Sequence, residues 1–314
     1  MTQTILISIG AGLLSALLFG SVLAGALTAL VLPLFAQLPI QIASLTFGPR
    51  SGVISAIAAA IAIVAAAGLV EISVPYALNV AIPALIASYL IALRNTDVAE
   101  ASISAWFPMG RVLSAVAVTS VVCVILIGLH TGFNPQSAAA SIQPQAELML
   151  QSSINAGQIT TEVINEAVSI FVAVLPFVAA AALVLITTLN LTLAIRIARR
   201  YGAFKRPPAS IATLEFPKLM YVTALFAIAV IWITGEATPI LAVVAGASVS
   251  LVIISGFAAL HALTQKMSAR SIVLFAVYGS IILFGFPILL ILALGWLDGF
   301  LNLRGRSASG ASNS

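Results

Sequence analysis

The sequence predicts an all-α fold, a polytopic transmembrane bundle of eight or nine membrane helices. Three observations carry that prediction. First, only 13 Lys or Arg and 9 Asp or Glu occur in 314 residues, so 7% of the chain is charged while 61% is hydrophobic. A soluble domain is about 25% charged, and so few charges cannot solvate the surface of a globule this size. Second, charge-free runs cover 1–49, 51–70, 72–93, 112–146, 167–195, 219–235, 237–265 and 271–297. Crossing about 30 Å of hydrocarbon takes about 20 helical residues, so nearly every run can cross. Third, runs such as Ile57-Ala58-Ala59-Ala60-Ile61-Ala62-Ile63 are apolar all round and lack the alternation of a barrel strand. Together these exclude a soluble enzyme, a nucleic-acid binder and a disordered chain.

The elements follow in order. Pro33 and Pro39 break the first run, which leaves a long helix over 5–32 and a 34–47 segment too short for an untilted crossing, hence a tilted span or a re-entrant helix. The N-terminus lacks the basic region of a secretory signal, so the helix from Leu6 onward is expected to be retained despite Ala24-Gly25-Ala26. Single spans are expected over 51–70, 72–93, 112–130, 167–195, 219–235, 237–265 and 271–297. Between the third and fourth of these lies 131–166, an insert without Lys or Arg. In it, Pro144 suits the start of a short amphipathic helix over 145–156, ended by Gly157, and Thr160 can cap the next helix. A loop packed on the bundle fits the insert equally well. Residues 1–306 form one transmembrane domain, and 307–314 a polar, disordered tail.

Orientation follows from the basic residues. Arg50, the 94–111 loop, the 196–218 loop (Arg196, Arg199, Arg200, Lys205, Arg206, Lys218) and the 264–270 turn fall on one face, which takes eleven of the 13 basic residues. The positive-inside rule makes that face cytoplasmic, and the number of runs makes the chain a multi-pass membrane protein. Glu71, Glu147, Glu162, Glu166, Glu236 and Asp298 fall opposite. The same parity puts Arg304 and Arg306 outside, unless Gly285-Phe286-Pro287 turns the last run back.

Gly12, Ala16, Gly20, Ala24 and Thr28 are five small residues spaced four apart. They form one smooth helix face for close packing, either within the bundle or against another membrane subunit. The intramembrane polar residues Gln37, Gln41 and Asn79, with Tyr76 beside them, are candidate substrate-binding groups, because they sit near prolines that expose backbone polar groups. Asn190, Thr187, Thr188 and His261 are further buried polar positions. Each alone is more often a satisfied interhelical hydrogen bond. No phosphate loop, His-Glu-x-x-His or Cys pair occurs, and Cys123 is the one cysteine. Neither catalysis, a metal nor a cofactor is therefore expected, and no nucleic-acid partner.

Leu45-Thr46-Phe47-Gly48-Pro49-Arg50-Ser51-Gly52-Val53 resembles the Gly-Pro-x-x-Gly turn of the substrate-binding S-components of energy-coupling-factor transporters. Gly48 permits the turn, Pro49 pre-sets its φ, and Gly52 lets the next helix pack closely. Over its whole length, and in its ending Gly295-Trp296-Leu297-Asp298-Gly299-Phe300-Leu301-Asn302-Leu303-Arg304, the chain resembles the YybS-like family of bacterial integral membrane proteins. The resemblance implies a substrate-binding component without its own motor, docking on a membrane subunit through its first helix. The alternative is a non-transport scaffold acting through helix contacts.

Overall fold

The computed structural model describes residues 2–24, 31–68, 70–97, 102–155, 159–208, 214–234 and 238–305. Thr28, Glu236, Arg306 and the tail 307–314 lie outside them, as does the side chain of Ala24. Among the described residues the structure is helical apart from turns and one bridge between Arg94 and Trp106. Six helices are long and apolar enough to cross a membrane. They are α1 (Thr2–Gly20), α3 (Pro49–Ala67), α4 (Val70–Ala92), α5 (Met109–Thr131), α7 (Thr161–Arg200) and α9 (Pro239–Leu263). Shorter are α2 (Leu38–Phe47), α8 (Lys218–Thr234), α10 (Arg270–Phe284) and α11 (Ile288–Leu301), while α6 (Pro135–Asn155) is long enough but more polar.

The first helix differs from the 5–32 expectation. It ends at Gly20 and passes into a 3₁₀ turn, Ser21–Ala24. A second 3₁₀ turn, Leu32–Phe35, leads into α2, with prolines at the first turns of both elements. Length alone allowed one long helix, but a short buried helix starting inside the bundle is the arrangement formed. Gly48 has φ +94° and caps α3, Pro49 opens that helix, and a Cβ on Gly52 would lie 2.8 Å from the Ser44 Cβ. The Gly-Pro-x-x-Gly segment is thus a sharp reversal between closely packed helices. Ser8 meets Ser51, and Gly12 meets Ser55, so α1 and α3 run in the same direction and share one end with Arg50.

The 131–166 insert also differs. Its helix starts at Pro135, not near Pro144, because Asn134 caps it through bonds to the Gln136 and Ser137 nitrogens. Ala138, Ala139, Ile142 and Ala146 pack on Ile164, Val168 and Val172 of α7, while Leu148 stays exposed. At 40 residues α7 is about 60 Å long, twice the hydrocarbon thickness. Its outer third therefore forms a hairpin with α6. Thr160 caps α7 by accepting from the Val163 nitrogen, as its position suggested.

The last run is two helices, not one span. Gly285 takes φ +72° and Pro287 opens α11. The Trp296 indole donates to the Tyr221 carbonyl at 3.4 Å, and the Gly299 backbone lies against the Tyr221 ring. Tyr221 sits in the first turn of α8, just after Lys218. The end of α11, with the Asp298–Arg304 ion pair at 2.7 Å, therefore lies at the basic end of the bundle. This corrects the placement of Asp298 and Arg304 on the opposite face: a break at Gly285 adds the missing reversal.

Candidate functional site

Two polar regions lie inside the bundle, and they do different things. The first gathers the residues singled out from the sequence. Pro83 has no N–H to offer the Asn79 carbonyl, and Gln37 Nε2 donates to that carbonyl at 2.9 Å. The same stretch of α4, Ala77–Ala81, is a π-helical turn. Ser15 Oγ donates to the Ala36 carbonyl at 2.6 Å and lies 2.8 Å from the Tyr76 hydroxyl. Asn190 Nδ2 donates to the Leu34 carbonyl at 2.7 Å. Each bond satisfies a backbone oxygen beside the breaks at 32–37 and at Pro83, where the helix ladder is interrupted. Gln37, Gln41 and Tyr76 are buried, Asn79 is half-buried, and Gln41 Nε2 reaches Gln37 Oε1 at 3.5 Å. Gln41 Oε1, Thr187 Oγ1 and Asn190 Oδ1 have no partner. This region joins α1, α2, α4 and α7, and none of its four sequence candidates lines the cavity at the basic end or the apolar groove between α1 and α3.

The small-residue face of α1 is divided. A Cβ on Gly12 would lie 2.3 Å from the Ser55 carbonyl oxygen, whereas one on Gly20 meets nothing within 4 Å. Ala16 packs toward the core formed with Ala59 and Tyr76. The Gly12 end is internal packing against α3, and the Gly20 end is open.

The second region is a cavity of about 450 Å³ at the basic end, within the size range of small-ligand sites. Thr188, Thr192, Ile195, Arg196 and Arg199 recur along one face of α7 and form its longest wall. Met109 and Leu113 of α5, Ile254, Phe257 and His261 of α9, and Tyr278 of α10 close it. Arg206, Pro207 and Leu214 of the 201–217 segment complete it. The described parts of that segment, 203–208 and 214–217, fold back onto the bundle. Phe204 sits edge-on to Trp106 with centroids 5.5 Å apart, and Phe216 is buried. The Glu215 carbonyl lies where a Cβ on Gly110 would be, 1.6 Å away.

Arg206 is 5% exposed. Its Nη1 donates to the carbonyls of Phe107 at 2.9 Å and Ile91 at 3.2 Å. Burial, and after it the nearby Arg199 charge, hold the Arg206 guanidinium below its ordinary value. No carboxylate forms an ion pair with Arg196, Arg199 or Arg206 among the described residues. His261 Nε2 lies 2.9 Å from the Tyr278 hydroxyl, whose ring stacks on Phe257. Thr188 and Thr192 donate back to their own helix, which leaves hydroxyl lone pairs as acceptors. The arrangement is an apolar chamber with a positive rim, uncompensated among the described residues. Arg196, Arg199 and Arg206 had been assigned only to orienting the chain. Their signal was present: Thr188, Thr192, Arg196 and Arg199 fall on one helical stripe. Arg206 had none, since its partners are about 100 residues away in sequence.

The chain belongs to the family described as "Predicted membrane protein (DUF2232)", which it matches over residues 13–299. It is an integral membrane protein with several apolar helices. No curated protein and no solved structure matches it.

Proposed function

We propose that the protein is a membrane-embedded binding component without its own motor, S-component-like in role, that holds a small amphiphilic anion at its cytoplasmic end. One observation carries this reading: Arg196, Arg199 and Arg206 border one apolar cavity of about 450 Å³ and form no ion pair with a carboxylate among the described residues. Arg206 is buried and Arg199 half-buried, whereas Arg196 is exposed; burying a cation without a counter-charge is costly, and a ligand supplies that charge to the first two. An apolar chain suits Leu113, Ile195, Ile254 and Phe257 below the rim. The positive-inside rule supports a cytoplasmic placement in a bacterial inner membrane. The scaffold reading draws less support, because the Gly12 end of the α1 face is already occupied by α3.

The test is mass spectrometry of small molecules that co-purify in mild detergent. Ile254 is half-buried on the cavity wall, so Ile254→Trp fills the chamber. An anionic amphiphile present in the wild type should be lost from this variant at unchanged monodispersity. The same small molecules recovered from both proteins would overturn the proposal.

A further inference from the structure

The charge count of the rim goes beyond "anionic". Three guanidiniums border one chamber, two of them close enough that Arg199 disfavours the charge on Arg206. A carboxylate or a phosphodiester brings a single negative charge and leaves most of that repulsion in place. A phosphate monoester brings about −1.5 to −2 at neutral pH, with three acceptor oxygens, and a diphosphate brings more. Guanidiniums recognise such groups through paired, planar hydrogen bonds. Arg206 is held in one orientation by the Ile91 and Phe107 carbonyls, which limits the entropy lost when it binds.

The walls define the rest of the ligand. Ile91, Leu113, Ile195, Ile254 and Phe257 offer no counter-charge and suit hydrocarbon. On its α10 side the chamber is covered thinly. No residue of α10 is buried, and its one lining residue, Tyr278, rests on Phe257 and His261. Hydrocarbon can therefore enter beside α10 while the head stays at the basic rim.

We propose that the ligand of this cavity is a phosphate or diphosphate monoester of an apolar chain, its head gripped by Arg196, Arg199 and Arg206 and its chain lying against α5, α7 and α9. This rests on the binding reading above and narrows it to a chemical class. The head group can belong to a bilayer lipid or to a soluble alkyl phosphate.

The experiment is calorimetric titration of the full-length protein in phosphatidylcholine nanodiscs. The probes are dodecyl phosphate, dodecanoate, inorganic phosphate and pyrophosphate. Dodecyl phosphate should bind about tenfold or more tighter than dodecanoate, as expected for paired, charge-assisted bonds. Neither inorganic ion should match it. Arg199→Gln and Arg206→Lys should each weaken dodecyl phosphate more than dodecanoate and so remove most of that preference. The Arg199 side chain makes no hydrogen bond or ion pair among the described residues, so Arg199→Gln serves if Arg206→Lys does not fold. Competition by phosphatidic acid added to the nanodiscs would identify a bilayer source, and its failure a soluble one; both agree with the proposal. Equal affinity for dodecanoate and dodecyl phosphate would overturn the phosphate assignment and leave the cavity reading standing. Equal binding of pyrophosphate and dodecyl phosphate would overturn the apolar chain. No binding of either dodecyl probe would overturn both readings.

Discussion

Gly12→Ala adds one methyl group to α1, and its consequence can be worked out from the structure. The new Cβ would lie 2.3 Å from the Ser55 carbonyl oxygen, 2.9 Å from the Ala58 Cβ and 3.1 Å from the Ala59 nitrogen. All belong to α3, and two are helix backbone, which cannot rotate away as a side chain can. Contacts under 3.0 Å essentially never occur at a real Cβ, so the helices must separate locally by about 0.7 Å. Overpacking of this kind costs about 1–3 kcal/mol. At about 2–4 °C per kcal/mol for a chain of this size class, the midpoint should fall by roughly 2–12 °C. The control is Gly20→Ala on the same small-residue face, where nothing lies within 4 Å. There the gain in helix propensity, up to about 1 kcal/mol, predicts an unchanged or slightly higher midpoint. The assay is thermal unfolding of both variants in one mild detergent, followed by the monodisperse fraction on size exclusion. A Gly12→Ala midpoint within about 1 °C of the wild type, or an equal loss at both positions, would refute the division of the face. If the open end docks another membrane subunit, Gly20→Leu should lose that subunit on co-purification with no change in midpoint.

Three further outcomes are expected. In a Cys123→Ala background, an impermeant thiol reagent applied outside should modify Glu147→Cys and spare both Arg200→Cys and Asn302→Cys; external labelling of Asn302→Cys would mean that the chain does not turn back at Gly285. Asp298→Asn removes the carboxylate that pairs with Arg304 at 2.7 Å, which should cost about 3 kcal/mol or more and open Arg304 to trypsin from the basic side, whereas unchanged cleavage would argue against the pair. Asn190→Leu strips the donor from the Leu34 carbonyl and should lower stability by about 1–2 kcal/mol in detergent melts, with binding of dodecyl phosphate unaltered; lost binding at full stability would give Asn190 a ligand role instead.

The local quantities in the sequence determined the class of this protein. Charge scarcity and charge-free runs of about 20 residues require helices in lipid, because each backbone polar group there must find its partner internally. The spacing of Lys and Arg determined which ends share a face, and Gly48-Pro49 marked a reversal that the structure contains. Gly285-Phe286-Pro287 left two outcomes open, a continued span or a return. Choosing between them needed the contact of Trp296 and Gly299 with Tyr221, about 75 residues away in sequence. Tertiary structure alone also decided what each polar residue does. Gln37 and Asn190 resembled ligand groups because they are polar residues in proline-containing segments, yet each bonds a backbone carbonyl, of Asn79 and of Leu34, beside a break in a helix. Arg206 resembled a solvated loop charge until folding carried it under Ile91 and Phe107. Hydropathy and spacing describe one helix at a time, whereas the cavity exists only where five helices and a returning segment meet.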